Sequence, residues 1–361
     1  MSIKRKILVL VADYPSDKSV ALMYVHTRNK AYSVAGHEVV VLNFKTTMDY
    51  VYEGIRVISL RTYQSENKNY DILLLHAANI RNHYLFLKKY SDRFNRLIFF
   101  YHGHEVLRIN VAYPKPYPYV KKSALRDVIQ NVYDSFKLCL WRHYLPKLKE
   151  KTDYVFVSQW MKEEFFKNTR ISPKSLEKRC HITYNSVGAS FEKGQYDQDK
   201  PKEFDFITIR SFMDGSKYCI DLVNAWAKNT PEAKFLVVGR GEYFMHDPKA
   251  KNITWMNQTM NHEQMLSYLD KSKFALMPTR TDAQGLMMCE MAAYGIPVIT
   301  SDIPVCHEVF DGFGNAAYIE NRKDISLVDF MHKQSMCQKD DRFFLQNTIR
   351  RELDLFESEG K

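Results

Sequence analysis

Short runs of isoleucine, leucine, valine and phenylalanine, each too brief for a buried helix and each followed by a longer helix-like segment, recur along most of the chain. They fall at 7–11, 38–42, 55–60, 72–75, 97–101, 154–157 and 181–184, and again at 204–209, 235–238, 253–256, 274–277 and 298–300. Apolar strands alternating with helices predict parallel sheets covered on both faces, which makes this an α/β chain. A helix from about Val20 should end at Gly36, where glycine accepts the left-handed turn before the next strand.

The alternation is interrupted by a polar stretch, 192–203, containing Gly194, Asp197, Asp199 and Pro201. It reads as a linker. The expected division is therefore a first α/β domain over 1–191, a linker over 192–203, a second α/β domain over 204–338 and a closing helical segment over 339–361. The closing helix, at 340–356, carries apolar Phe343, Phe344, Ile349, Leu353 and Phe356. A chain of 361 residues is long enough for two ordinary domains, each burying its own core.

With 45% apolar and 26% charged residues the composition is that of a globular protein rather than a disordered one. No uncharged apolar run reaches the roughly 18 residues of a membrane span, and the opening residues lead into a strand instead of a signal-peptide core. The expectation is a cytoplasmic protein. Cysteines at 139, 180, 219, 289, 306 and 337 are scattered with no Cys-x-x-Cys pair, which points to reduced thiols.

The most informative stretch runs from Pro278 to Asp302. After the strand at 274–277 comes a polar loop to Gln284, then a helix from Gly285 that Gly295 and Pro297 should end. Asp282 falls in the loop and Glu290 inside the helix. The first amides of that helix, near Gly285, Leu286 and Met287, lack intrahelical acceptors and suit a diphosphate without help from a metal. A lone loop aspartate is more often just a solvent-facing residue; the strand, loop and helix together favour a binding role.

Further candidates rest on the same logic. The strand from Phe206 ends in Arg210, and a helix should open near Lys217. Two fixed cations there would stabilise the charge growing on a departing diphosphate. Gly239-Arg240-Gly241 comes after the strand at 235–238, but lacks the third glycine and the helix of a dinucleotide fingerprint. Asn261 and Gln264 form a capping pair. His102 lies just past the strand at 97–101; His102-x-His104 offers two ligands without a third, so no metal site is expected.

The order acid, seven residues, Glu290, then Ala293-Tyr294-Gly295-Ile296-Pro297-Val298-Ile299 resembles the signature of retaining GT-B glycosyltransferases of family 4, the group 1 glycosyl transferases. Both acids are normally Glu there; Asp282 takes the first place here. The resemblance implies two Rossmann-like doubly wound domains facing a central cleft, with the last helix crossing back onto the first domain. It also implies that Asp282 touches the donor sugar's hydroxyls, Glu290 the ribose, and Arg210 and Lys217 the diphosphate. Gly239 would line the donor cleft and His102 would lie near the transferred sugar.

The chain departs from the family in having Ile209 where glycine is commoner, one additional residue before Lys217, and Ala12-Asp13-Tyr14-Pro15-Ser16-Asp17-Lys18-Ser19 where many relatives carry a Gly-Gly loop. The segments Val157-Ser158-Gln159-Trp160 and Tyr184-Asn185-Ser186-Val187-Gly188 also resemble family segments. The function implied is transfer of a hexose from a nucleotide diphosphate sugar, uridine ahead of guanosine, to a glycan or polyprenyl-diphosphate-linked glycan in bacterial surface polysaccharide assembly. No cofactor or metal is implied, and the leaving phosphate would assist same-face attack without a protein nucleophile. A GT-B sugar-nucleotide epimerase and a non-catalytic GT-B partner subunit remain as rivals.

The net charge of +10 has a local source. Between 115 and 151 nine Lys or Arg face three acids, interleaved with Tyr117, Tyr119, Tyr133, Phe136, Trp141 and Tyr144 and preceded by Tyr113. Such a segment suits the headgroup region of an anionic bilayer on the inner face of the cell membrane. A solvated helix with its aromatics turned inward is an equal alternative. No nucleic-acid motif is present.

Overall fold

Parallel strand succeeds parallel strand through both halves of the chain in a computed structural model that describes residues 4–17, 19, 21–332 and 337–357. One unit takes in the described residues up to Arg108, Val132–Ser186 and those from Gln346 onward; the other comprises Ile109–Asn131 and Val187–Leu345.

The first unit holds β1 (Lys6–Val11), β2 (Glu38–Asn43), β3 (Tyr50–Tyr52), β4 (Ile55–Ile58), β5 (Ile72–His76), β6 (Arg96–Tyr101), β7 (Thr152–Phe156) and β8 (Cys180–Ile182), in the order β3-β4-β2-β1-β5-β6-β7-β8. Only β3 and β4 pair antiparallel. The second unit holds β9 (Phe204–Phe212), β10 (Phe235–Arg240), β11 (Ile253–Met256), β12 (Ser272–Met277), β13 (Val298–Ser301) and β14 (Ala316–Ile319), ordered β11-β10-β9-β12-β13-β14 and parallel throughout. Residues 7–11 and 72–75 are wholly buried, as central strands covered by helices must be.

Several boundaries differ from the sequence expectation for identifiable reasons. The run expected at 55–60 stops at Ile58, because the Ser59 side chain accepts from the Thr62 amide and caps the helix Leu60–Glu66. Strands β3 and β14 carry little signal of their own: one is a three-residue edge, the other opens on two alanines. The helix before Gly36 begins at Met23; Val20 and Lys18 lie outside the described residues. Gly36 has φ +97°, the left-handed exit expected of it.

The stretch expected as a linker is packed. Its first two residues close the helix Ala189–Lys193, and farther on the Tyr196 amide donates to the Tyr294 carbonyl and its hydroxyl to the Ser272 carbonyl at 2.7 Å. Residues 109–131 group with the second unit, although the expected boundary puts them within 1–191. Tyr117 donates to Asp221 at 3.0 Å, Tyr119 to Asp214 at 2.6 Å, and Ser216 to the Lys115 carbonyl at 2.6 Å.

At the carboxyl terminus a 3-10 turn at Asp341–Phe343 precedes the helix Leu345–Glu357; residues 358–361 lie outside the described residues. The buried stripe of that helix is Thr348, Ile349, Glu352 and Phe356, with Leu353 only half-buried. Glu352 pairs with Arg28 at 3.0 Å and accepts from Tyr32, and Arg28 also donates to Asn185 Oδ1 at 3.0 Å and to the Tyr184 carbonyl at 3.2 Å. A carboxylate can occupy such a core only when paired in this way.

Candidate functional site

Strands β9 and β12 run parallel side by side, so the loops that leave them emerge at the same carboxyl edge of the second sheet. Arg210, near the end of β9, is 6% exposed and donates from Nη2 to the carbonyl of Pro278, the first residue after β12, at 2.7 Å. Its Nε is buried without a hydrogen-bond partner among the described residues. Its guanidinium carbon stands 5.1 Å from the centre of the Tyr218 ring. Burial lowers its proton affinity below the usual arginine value, the mark of a cation short of acceptors.

Lys217 sits on the 3-10 turn Ser216–Tyr218 rather than at a helix start, and the helix Ile220–Asn229 opens only after it. Lys217 Nζ is 3.7 Å from Asp282 Oδ2 and 4.8 Å from the Tyr218 ring centre. The two loops are stitched together around this pair. Arg280 donates its amide to the Lys217 carbonyl at 2.9 Å and grips Asp221 with two nitrogens at 3.0 and 2.7 Å. Asp282 turns its other oxygen onto the Ala283 amide at 2.9 Å.

Gly285 has φ +75° and caps the helix Leu286–Tyr294. A Cβ there would fall 2.1 Å from the Met288 methyl, which would have to move aside, but the positive φ by itself favours glycine. The amides of Met288 and Cys289 return to the Gly285 carbonyl. Those of Leu286 and Met287 precede the first intrahelical bond, where a helix start offers partial positive charge. Gly295, with φ +92°, ends the helix.

Glu290 is 6% exposed on the second turn of this helix. Burial pushes its carboxyl up to about 7, and only the Gly188 amide among its hydrogen-bond donors pulls it back. His262 Nε2 is 4.0 Å away. Gly188 is itself constrained, because a Cβ would lie 2.5 Å from the His262 ring. Asn261 and Gln264 form a reciprocal capping box that fixes the helix His262–Asp270 carrying this histidine.

Gly239 is placed differently from a residue lining a binding surface. A Cβ on it would be 2.6 Å from the Arg210 carbonyl, so its absence lets β10 approach the backbone that carries Arg210. His102 belongs to the first unit, just past β6. Its Nε2 shares a hydrogen bond with His76 Nδ1 at 3.2 Å, its amide donates to Glu105 at 2.9 Å, and its Nδ1 has no partner. Burial, then the Arg28 charge, hold its pKa well below the usual histidine value, so the ring is neutral at physiological pH. Among the described residues no three His, Cys, Asp or Glu gather as a metal site would require.

The second unit thus places Arg210 and the Lys217–Asp282 pair on the loops that leave β9 and β12, ahead of the helix start at Gly285, Leu286 and Met287, with Glu290 farther along that helix beside Gly188 and His262. Sequence reasoning missed Arg280, Asp221, Tyr117 and His262, which hold them; Gly188 was singled out only as part of a segment resembling the family. Their partners are far away in the chain; only the capping pair beside His262 was a local signal.

Residues 204–333 match the family described as Glycosyl transferases group 1. Over 194 residues the chain is 27% identical to the O-antigen chain mannosyltransferase RfbU of Salmonella typhimurium, a match covering 49% of this chain and 50% of that protein. The chain therefore spans about half the length of this curated relative. Among solved structures, a glycosyltransferase from Rickettsia africae ESF-5 superposes with a TM-score of 0.67 at 16% identity over 98% of each chain. WaaG, a glycosyltransferase involved in lipopolysaccharide biosynthesis, does so with a TM-score of 0.60 at 12% identity, over 96% of this chain and 95% of WaaG. At such identities the likeness is one of fold. The second unit, through residues 204–333, carries the sequence pattern of the group 1 glycosyltransferases on a chain that has the GT-B fold of two Rossmann-like α/β domains.

Proposed function

We propose that the chain is a retaining, metal-independent glycosyltransferase of family 4 that moves a hexose from a nucleotide diphosphate sugar, uridine ahead of guanosine, to a glycan or lipid-linked glycan. The setting would be surface polysaccharide assembly, a reading supported by the likeness to an O-antigen chain mannosyltransferase and to a glycosyltransferase involved in lipopolysaccharide biosynthesis. The observation that carries this reading is Arg210. It is a buried guanidinium with an unpartnered Nε, beside the Lys217–Asp282 pair on the sheet edge from which the helix Leu286–Tyr294 also starts. An anionic diphosphate supplies what that group lacks.

In this reading Arg210, Lys217 and the amides of Leu286 and Met287 hold the diphosphate, Asp282 accepts from the hexose hydroxyls, and Glu290 accepts from the ribose. The acceptor hydroxyl oxygen bonds to the anomeric carbon as the bond from that carbon to the phosphate oxygen breaks. The diphosphate leaves with the electron pair and takes the hydroxyl proton. Fixed cations make that departure easier.

A lipid-linked acceptor is supported by the helix Ala124–Tyr144. Leu125, Val128, Ile129, Val132 and Phe136 are each more than half exposed on one face, whereas Asp134, Lys137, Leu138 and Trp141 are buried on the opposite one. The aromatics therefore do not all face one way, and the outward face is mainly aliphatic. Lys121, Lys122 and Arg126 are exposed beside it, while Asp127 pairs with Lys122 and Asp134 with Lys137. Apolar surface flanked by exposed cations suits the anionic cytoplasmic leaflet. No helix among the described residues is long and apolar enough to cross a membrane.

The test is incubation with UDP- and GDP-hexoses labelled in the sugar, with lipid-linked oligosaccharide as acceptor and chelator present. Label on the acceptor is expected. Label returned as an isomeric sugar nucleotide would establish the epimerase, and absence of nucleotide binding the non-catalytic subunit.

A further inference from the structure

A cavity of 220 Å³ in the first unit is bordered by three arginines that come from three separate elements. Arg108 lies in the loop beyond β6, Arg142 in the last turn of the helix Ala124–Tyr144, and Arg170 at the end of the helix Gln159–Thr169. Ser135, Cys139 and Asn168 also border it, and among the described residues no carboxylate does. None of the three guanidinium groups has a hydrogen-bond or ion-pair partner among the described residues, whereas Arg28, Arg96, Arg280 and Arg342 are all tied to carboxylates. The cavity thus gathers cations that the fold leaves unpaired.

Cations near helix ends often serve the last carbonyls, but the helix Gln159–Thr169 has no need of them. Its Glu164, Phe165 and Phe166 carbonyls already accept from the Asn168 side-chain amide, the Thr169 hydroxyl and the Arg170 backbone amide, at 2.8, 2.7 and 2.9 Å. Glu164, the acid on this helix nearest to Asn168 in sequence, is held by Lys167 and by Asn168 itself. Arg170 closes the helix at φ +57°, a left-handed position usually left to glycine or asparagine. Its backbone does the capping; its side chain is left over. Three like charges around one small space repel each other, and an anion between them removes that cost while supplying acceptors. A tetrahedral phosphate offers oxygens toward all three elements and matches the guanidinium fork, where the two coplanar oxygens of a carboxylate would reach fewer. The volume falls below the roughly 300 Å³ at which drug-sized pockets begin, so it suits a phosphate ester and little more.

We infer that this cavity is a phosphate-ester site, taking a phosphate carried on a lipid headgroup or on a soluble molecule between Arg108, Arg142 and Arg170. It belongs to the first unit, whereas the residues assigned to the donor diphosphate belong to the second, and it does not rest on that assignment. The neighbouring surface favours the lipid source. Val132 and Phe136, one turn of the same helix from Ser135 and Cys139, are 66% and 60% exposed, so a headgroup held by the arginines would leave these side chains to meet the acyl region.

Co-sedimentation of the full chain with phosphatidylglycerol vesicles, beside calorimetric titration with glycerol 3-phosphate and with acetate at equal ionic strength, tests this. In Arg142→Gln/Arg170→Gln the phosphate-bearing partner should bind about tenfold more weakly or worse, as charge-assisted contacts are lost. Lys174→Gln/Lys178→Gln removes the same charge from exposed positions outside the cavity and should weaken binding by about twofold at most. Arg142→Lys should still lose affinity several-fold, because an ammonium lacks the fork. Loss of vesicle binding identifies a lipid headgroup; loss of glycerol 3-phosphate binding alone identifies a soluble ester. Equal losses in the two double variants, saturable acetate binding as tight as that of the ester, or a wild-type protein that binds neither vesicles nor ester would overturn the site. Urea midpoints should match the wild type, and should the double variant unfold, Arg108→Gln is read in the same assays, where unchanged binding would overturn the site as well.

Discussion

Two buried arginines, one in each unit, show what separates a structural cation from a binding one. Arg28 donates to Glu352, Asn185 and the carbonyls of Tyr184 and Tyr24, and the Glu352 charge raises its pKa despite complete burial. Among the described residues Arg210 has a single carbonyl acceptor and an unpartnered Nε, and its pKa is lowered. Nearly equal exclusion from water has opposite consequences. The first arginine is satisfied by the fold and ties the last helix to the helix Met23–Val34; the second is left in need of an anion.

The strongest way to break this contrast is to remove Glu352. Glu352→Ala leaves Arg28 charged and buried, and should cost about 3–5 kcal/mol, read as a lowered midpoint in urea unfolding. A loss near zero would mean that Arg28 is not structurally committed.

Arg210→Ala should behave in the opposite manner. The unfolding midpoint is expected to hold or rise slightly, while turnover falls about 10²- to 10³-fold, as when one stabilising donor is withdrawn from a developing charge. Equal stability losses for both arginine sites would erase the distinction between them.

Glu290 sharpens it further, since burial holds its carboxyl near 7. If the carboxylate accepts from ribose, UDP affinity should rise with pH and level off above about 7, being about tenfold weaker one unit below that point. Stability has the reverse sign. The folded protein retains this proton more tightly than the unfolded chain, so the contribution is complete below about 4.5, declines as pH rises and is gone above about 7. Glu290→Gln should flatten both profiles, as seen by calorimetry and thermal melts at several pH values; unchanged profiles would remove the ribose assignment.

The smallest effect concerns the helix Ala124–Tyr144. Replacing Ile129 and Phe136 by serine should reduce co-sedimentation with phosphatidylglycerol vesicles several-fold, with little change in stability because both side chains are already exposed. Retained vesicle binding would direct attention to some other surface.

Much of this was legible in the sequence because it is written in local patterns. The apolar runs marked the parallel strands, and Gly285 and Gly295 bracketed the helix bearing Glu290. Asp282, Arg210 and Lys217 could be picked out from their positions near or after strand ends. The contacts that decide their roles could not, being distant in the chain: Arg280 with Asp221, His262 with Glu290, Arg28 with Glu352. Glu352 was hidden for a plain physical reason: helical periodicity assigns a core place to Leu353, and only the distant Arg28 makes a carboxylate stable in its stead. The return of residues 109–131 to the second unit depends likewise on two tyrosine hydroxyls whose acceptors come about a hundred residues later.

The most direct test of the central claim is a crystal structure with UDP bound. The expected result is a phosphate oxygen within hydrogen-bonding distance of Arg210 Nε and others facing the amides of Leu286 and Met287. A diphosphate bound elsewhere, with Arg210 Nε still unpartnered, would contradict it.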